Sequence, residues 1–218
     1  MLKFYYTRLS VNARRVWVTL LEKKLEFEPI LLKLNGDQFK PEFLKLNPFH
    51  HIPVLIDDDC TLIESLAILD YLEAKYPNPE FVPKEAKDIG KMREIELVTV
   101  NELPPPSIVI MREIIDLPVD AKKLELAKKQ IGTVLQYFED NLDENHSYFF
   151  GEQLTLADIV AGTAVSAIPL LGISLDGYPK VKRWWENLQQ RESWQQTEPT
   201  REELEASKAI LKAILEKK

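Results

Sequence analysis

The chain has 218 residues, 45% of them hydrophobic, with a formal net charge of -7 and a pI near 5.2. That length holds one large domain or two small ones, and the acidic balance argues against nucleic acid as a partner. A single cysteine cannot form an internal disulfide, and the stretch from Met1 to Arg8 lacks the apolar run of a secretion signal, so a cytoplasmic protein is the simplest reading.

Leu2 to Tyr6 reads as a strand, and Val11 to Lys24 as a helix with Ala13, Val16, Trp17, Leu20 and Leu21 on one face. Phe27 to Leu34 is a second strand, reached through Pro29. Val54-Leu55-Ile56 and a short apolar run after Asp57-Asp58-Asp59 form a hairpin. Leu66, Ile68, Leu69 and Leu72 then give a helical stripe that ends before Pro77. This order of elements matches an α/β unit of thioredoxin type. Tyr76 to Val82 and Pro83 carry three prolines and no helical period, which marks a linker. Beyond it the pattern is helical: Leu124, Ala127, Ile131, Val134, Leu135, Phe138 and Leu142 recur at three and four residues, as do Leu204, Ser207, Leu211 and Ile214. Pro104-Pro105-Pro106 must interrupt any helix that crosses it. Thr155-Leu156-Ala157-Asp158 is a capping box flanked by Leu154 and Ile159 as a hydrophobic staple. The uncharged run from Ile159 to Leu175 contains Gly162, Pro169 and Gly172, and reads as a buried helix instead of a membrane span.

The segment from Asn47 to Ile68 carries the most chemistry. Pro53 forces Ile52 to be extended at the start of a strand, where the missing N-H does least harm, and leaves the Ile52 backbone able to pair with a ligand. An X-Pro bond is cis only about 5 to 6% of the time in folded proteins, so the residues alone favour trans. Glu64 and Ser65 stand at a helix start. The unpaired N-H groups there and the Ser65 hydroxyl suit a carboxylate, while Glu64 suits an ammonium, which together describe an α-amino-acid head group. The same two residues also serve as a simple cap and a favourable first-turn charge. Adjacent His50 and His51 have no second ligand cluster beside them, so no metal is expected. Arg14 and Arg15 could support the site electrostatically, but on a helix they are expected to face solvent or a carboxylate. Trp184, Trp185 and Trp194 are expected in helix packing.

In order and spacing these elements resemble the soluble glutathione transferases, of the serine type and a theta/phi-like bacterial class. The likeness covers both halves: Asn-Pro-x-x-x-Ile-Pro-Val-Leu from Asn47, Leu-Ile-Glu-Ser-x-Ala-Ile from Leu62, and Gly-x-x-Leu-Thr-Leu-Ala-Asp from Gly151. It implies an N-terminal thioredoxin-like α/β domain over residues 1–77 that binds glutathione, a linker over 78–87, and an all-helical domain over 88–218 that contributes the electrophile pocket. It further implies a cis Pro53, with the Ile52 backbone pairing with the cysteinyl unit of glutathione and Glu64 and Ser65 holding its γ-glutamyl end. Ser10-Val11-Asn12-Ala13-Arg14-Arg15-Val16 matches the serine motif, which makes Ser10 the thiolate stabiliser. Tyr5, near the end of the first strand, is the alternative donor. Gln38 and His51 fall where the glycyl carboxylate is held, although the family often has glutamine or lysine at the position of His51, and Phe39 replaces a lysine of phi enzymes.

The resemblance implies conjugation of the glutathione thiolate to small apolar electrophiles, a detoxification activity, with glutathione as co-substrate and no tightly bound cofactor. The electrophile is expected near Thr7 to Leu9 and Pro104 to Met111, between the two domains. A homodimer is expected, and no membrane association. Glutathione-dependent isomerisation or dehalogenation and a non-catalytic binding role are the alternatives. Thiol-disulfide chemistry is disfavoured because Ser10 stands at the cysteine position of the omega class and no Cys-x-x-Cys exists. Cys60 follows three aspartates that weaken it as a nucleophile.

Overall fold

The computed structural model describes residues 1–33 and 36–216. Strand β1 (Leu2–Tyr6) feeds helix α1 (Val11–Glu22), which returns the chain to β2 (Phe27–Leu31) beside and parallel to β1. After the short helix α2 (Pro41–Leu44), β3 (Val54–Asp57) pairs antiparallel with the other side of β1, and β4 (Cys60–Ile63) closes the hairpin, giving the order β2-β1-β3-β4. Asp58 turns the hairpin at φ 53°, a conformation that Asp tolerates. Helix α3 (Ser65–Lys75) follows directly.

The second strand is shorter than its pattern. Its register with β1 ends at Tyr6–Leu31 because β1 itself ends there, and one last bond, from the Leu32 N-H to the Tyr6 carbonyl at 2.8 Å, closes the ladder; Leu34 lies outside the described residues. The first helix likewise stops at Glu22, with Lys23 as C-cap and Lys24 at φ 52°. Lys23 turns inward instead. Its ammonium pairs with Glu73 at 2.7 Å and donates to the carbonyls of Tyr76 and Pro79 at 2.8 and 2.7 Å. A buried ammonium is tolerated only when paired in this way.

Phe4 and its cross-strand partner Leu55 are fully buried with Val16, Val18 and Leu20 of α1 and Ile68, Leu69 and Leu72 of α3. On the neighbouring register Tyr5 lies against Phe43 of α2, with ring centroids 6.1 Å apart. Val54 and Leu55, on opposite faces of β3, are both fully buried, as expected of a strand covered on both sides. The Asp57 carboxylate ties the end of β3 to α3, accepting from Tyr71 at 3.0 Å, Lys75 at 2.6 Å and Tyr76 at 2.9 Å. This compact unit comprises Met1–Glu80 and Glu192–Ile210, the latter containing α9 (Glu192–Thr197), which packs on α1.

A second compact unit holds Phe81–Arg191 and the chain from Leu211 onward. It is helical: α4 (Ala86–Glu102), α5 (Pro104–Ile114), α6 (Ala121–Asn141), α7 (Leu156–Val165) and α8 (Pro179–Gln189). The three prolines open α5 at its first turn, where their absent N-H groups would have been unpaired in any case. Every residue of α7 is buried, which accounts for its uncharged sequence. The capping box at its start is formed: Asp158 accepts from the Thr155 N-H at 2.9 Å and hydroxyl at 2.6 Å, and also from the Phe149 N-H at 3.0 Å and the Trp184 indole at 2.9 Å. Burial pushes this carboxyl up, and the four donors oppose the push. Near the C-terminus, Leu211 and Leu215 of α10 (Arg201–Leu215) pack with Met111, Ile115 and Leu117.

Candidate functional site

The strand register brings the sequence motifs to one end of the sheet. Tyr5 of β1 stands opposite Val54 of β3, and Val54 opposite Ile63 of β4. Ser10 follows β1 through a three-residue loop, Ile52-Pro53 immediately precedes Val54, and Glu64-Ser65 immediately follows Ile63. Three adjacent strands at about 4.8 Å spacing separate their outer members by roughly 10 Å, the reach of an extended tripeptide at about 3.3 to 3.6 Å per residue.

Ser10 is the N-cap of α1. Its Oγ accepts from the Ala13 N-H at 3.2 Å, and its carbonyl accepts from the Arg14 N-H at 2.8 Å. Capping uses a lone pair of the hydroxyl and leaves its proton to be donated outward. The first turn of α1 contains no acidic residue, so the positive end of the helix is not offset there. Tyr5 is half-buried and directed at Phe43.

The Ile52–Pro53 bond is cis and Pro53 is buried. The β1–β3 ladder ends at Tyr5–Val54, so Ile52 has no strand partner among the described residues. Asn47, 1% exposed, fixes the loop leading to it, donating to the His51 carbonyl at 2.9 Å and accepting from the Phe49 N-H at 3.0 Å.

Glu64 is the N-cap of α3, with φ 70° and ψ 115° and an exposed side chain that makes no cap hydrogen bond. A non-glycine residue in that region costs of order 1–3 kcal/mol, and such conformations cluster at ligand sites. Ser65, rather than capping the helix, is its first residue and is buried. Arg15 reaches it from α1, Nη1 standing 3.5 Å from Oγ. Burial therefore places a cation beneath the amino end of α3, adding to the helix's own attraction for an anion.

Gln38 lies in the 3-10 turn Asp37–Phe39. It is buried, and its Oε1 accepts no hydrogen bond among the described residues. Phe39 and His50 bring this turn beside the histidine loop, their rings 4.9 Å apart, and His50 meets His51 edge-on at 5.5 Å. Gln38 and the exposed His51 thus belong to neighbouring segments.

Two family models match the chain: the glutathione S-transferase N-terminal domain over residues 4–80 and the glutathione S-transferase C-terminal domain over 101–192. Glutathione S-transferase 3 of Zea mays is 34% identical over 206 residues, 90% of this chain and 92% of the maize protein. The chain belongs to the glutathione S-transferase family. Glutathione S-transferase 1 of Dianthus caryophyllus is 32% identical over 186 residues, 83% of this chain and 84% of that one. The crystal structure of a glutathione S-transferase from Rhodospirillum rubrum superposes with a TM-score of 0.78 at 26% identity, covering 90% of this chain and 91% of that one. The likeness spans plant and bacterial transferases, so it places the chain in the family at large and not in a specifically bacterial class.

Within this glutathione S-transferase framework, Arg14 meets a carboxylate, Glu198, as the sequence led one to expect, whereas Arg15 meets a hydroxyl. Neither faces solvent: Arg15 is turned to Ser65, and Arg14 is buried against Thr197, Trp194 and Glu198. The unbroken Ala-Arg-Arg-Val run was the available signal, since two adjacent charges cannot both leave the apolar side of a helix that is covered on more than one face. Trp184 and Trp194 are buried in helix packing as expected. Among the described residues no group of three His, Cys, Asp or Glu side chains could hold a metal ion, and no helix is long and apolar enough to cross a membrane.

Proposed function

We propose that the protein conjugates glutathione to small apolar electrophiles, with Ser10 as the donor that stabilises the thiolate. The observation that carries this reading is the register Tyr5–Val54–Ile63, which sets the Ser10 loop, Ile52-Pro53 and Glu64-Ser65 at one sheet end, a tripeptide's length apart. In this reading the Ile52 backbone pairs with the cysteinyl unit and Glu64 takes the γ-glutamyl ammonium. Ser65 and the α3 amino end take its carboxylate, while Gln38 and His51 take the glycyl carboxylate.

Catalysis then consists of holding an anion beside its electrophile. Lowering a thiol pKa by two units from about 8.5 takes roughly 2.7 kcal/mol of preference for the anion. One hydroxyl donor at the positive end of α1 is a sufficient source. The thiolate attacks directly, so no covalent enzyme intermediate forms and the remaining gain is proximity.

By family likeness we further assign a serine-type, phi/theta-like class, a cytoplasmic location, a homodimer, and a division into residues 1–77 for glutathione and 88–218 for the electrophile, joined by 78–87. Calorimetric titration with glutathione and turnover with an aryl halide test the reading. Saturable binding with consumption of glutathione supports it. Absence of binding sinks it, and return of glutathione unconsumed would mean isomerisation instead.

A further inference from the structure

Ser10 is bracketed by two arginines that end on the same residue. Arg8, two positions before it, donates from Nη2 to the Glu198 carbonyl at 2.8 Å and pairs through Nε with Glu203 at 2.6 Å, its guanidinium 5.2 Å from the centre of the Trp17 ring. Arg14, four positions after Ser10, pairs with the Glu198 carboxylate and donates to Thr197 Oγ1 at 3.2 Å and the Trp194 carbonyl at 3.3 Å. The receiving segment is itself braced. The Glu198 N-H donates to the Trp194 carbonyl at 3.0 Å. Thr200 and Glu203 bond reciprocally, N-H to Oε2 at 2.7 Å and N-H to Oγ1 at 3.2 Å. All of these residues belong to one compact unit.

We propose that Arg8, Arg14 and Glu198 form a clamp that positions the Ser10 hydroxyl, so that a segment nearly two hundred residues away in sequence sets the donor geometry at the thiolate. The three are positioning residues: none is assigned a contact with glutathione. The inference rests on the reading of Ser10 as thiolate donor. Its physical basis is that Ser10 sits in the turn whose two flanking side chains are held, and a displacement of about 1 Å at a reacting group can cost roughly 10²-fold in rate.

Glu198→Ala separates placement from charge. Removing an anion near the site favours the thiolate by Coulomb's law and lowers the thiol pKa. Releasing the clamp weakens the Ser10 hydrogen bond and raises it. Glu198 is 37% exposed, so the variant is expected to fold, which its melting curve checks. The readouts are the midpoint of kcat/KM against pH and the KM for glutathione, for wild type, Glu198→Ala, Glu198→Gln and Ser10→Ala. The clamp predicts a midpoint raised by about one unit in Glu198→Ala, a tenfold loss of thiolate below it. KM should change less than about twofold, and Glu198→Gln, which still accepts from Arg14, should recover part of the loss. An unchanged or lowered midpoint in Glu198→Ala, with Ser10→Ala raised, overturns the clamp and leaves the function standing. An unmoved midpoint in Ser10→Ala overturns the Ser10 reading and the clamp with it.

Discussion

The cap that Ser10 makes is compatible with the reaction role proposed for it, because accepting from Ala13 occupies oxygen lone pairs and not the proton. Ser65 differs: it makes no cap, and its hydroxyl lies beside Arg15. In the proposed site, replacing it with alanine removes a hydrogen bond to the γ-glutamyl carboxylate, worth about 1.5–3 kcal/mol. Glutathione affinity should therefore fall roughly ten- to a hundredfold in a calorimetric titration, with the midpoint of the thiol titration unmoved. A Ser65→Ala variant that binds normally would remove it from the γ-glutamyl site. At this scale the sequence was informative where chemistry is local. Ser10, Ile52-Pro53 and Glu64-Ser65 could be picked out because each lies within a few residues of the turn or helix start that gives it meaning. Arg14 could not be placed, since its carboxylate is Glu198, and no periodicity connects positions so far apart.

Between elements, buried carboxylates such as Asp57 and Asp158 do the joining. Asp57 fastens β3 to α3, and although its burial acts to raise it, the donors Lys75, Tyr76 and Tyr71 hold the carboxyl below its ordinary range. A carboxyl depressed in the folded state contributes stability that is present above its unfolded value, about 3.9, and is lost as pH falls through the lower folded one. The denaturation midpoint should thus decline as pH drops below about 4, and the decline should be shallower in Asp57→Asn. An identical acid limb in both proteins would contradict this assignment. Asp158 caps α7 and also serves Phe149 and Trp184, so Asp158→Ala should cost about 2–4 kcal/mol in urea unfolding, well above the usual single cap. The capping box was legible because Thr-x-x-Asp is a local pattern. The two additional donors were not, as they come from a preceding loop and from α8. Strand and helix ends followed the same division: the break at Pro104-Pro105-Pro106, which falls between α4 and α5, was marked by the prolines' own chemistry, whereas the end of β2 was set by the end of β1.

For the whole molecule, the question is how an acidic chain binds an anionic tripeptide. Residues 1–78 carry 10 basic and 11 acidic side chains, while the remainder carries 18 and 24, so the net charge of -7 belongs mostly to the second part. Within the first compact unit the amino ends of α1 and α3, with buried Arg15 beside Ser65, supply local positive potential, whereas the charge of Arg14 is offset by Glu198. The overall fold class was readable from alternating strand and helix patterns followed by helical periods. That Glu192–Ile210 groups with the N-terminal residues was not, because helix periodicity tells which face is buried and not against what. The proposed function turns on Ser10 holding the glutathione thiolate. It is tested most directly by following thiolate absorbance of bound glutathione against pH in wild type and Ser10→Ala. A wild-type midpoint about two units below the free thiol value of about 8.5 is expected, with a return to near that value in the variant. Coincident midpoints in the two proteins would contradict it.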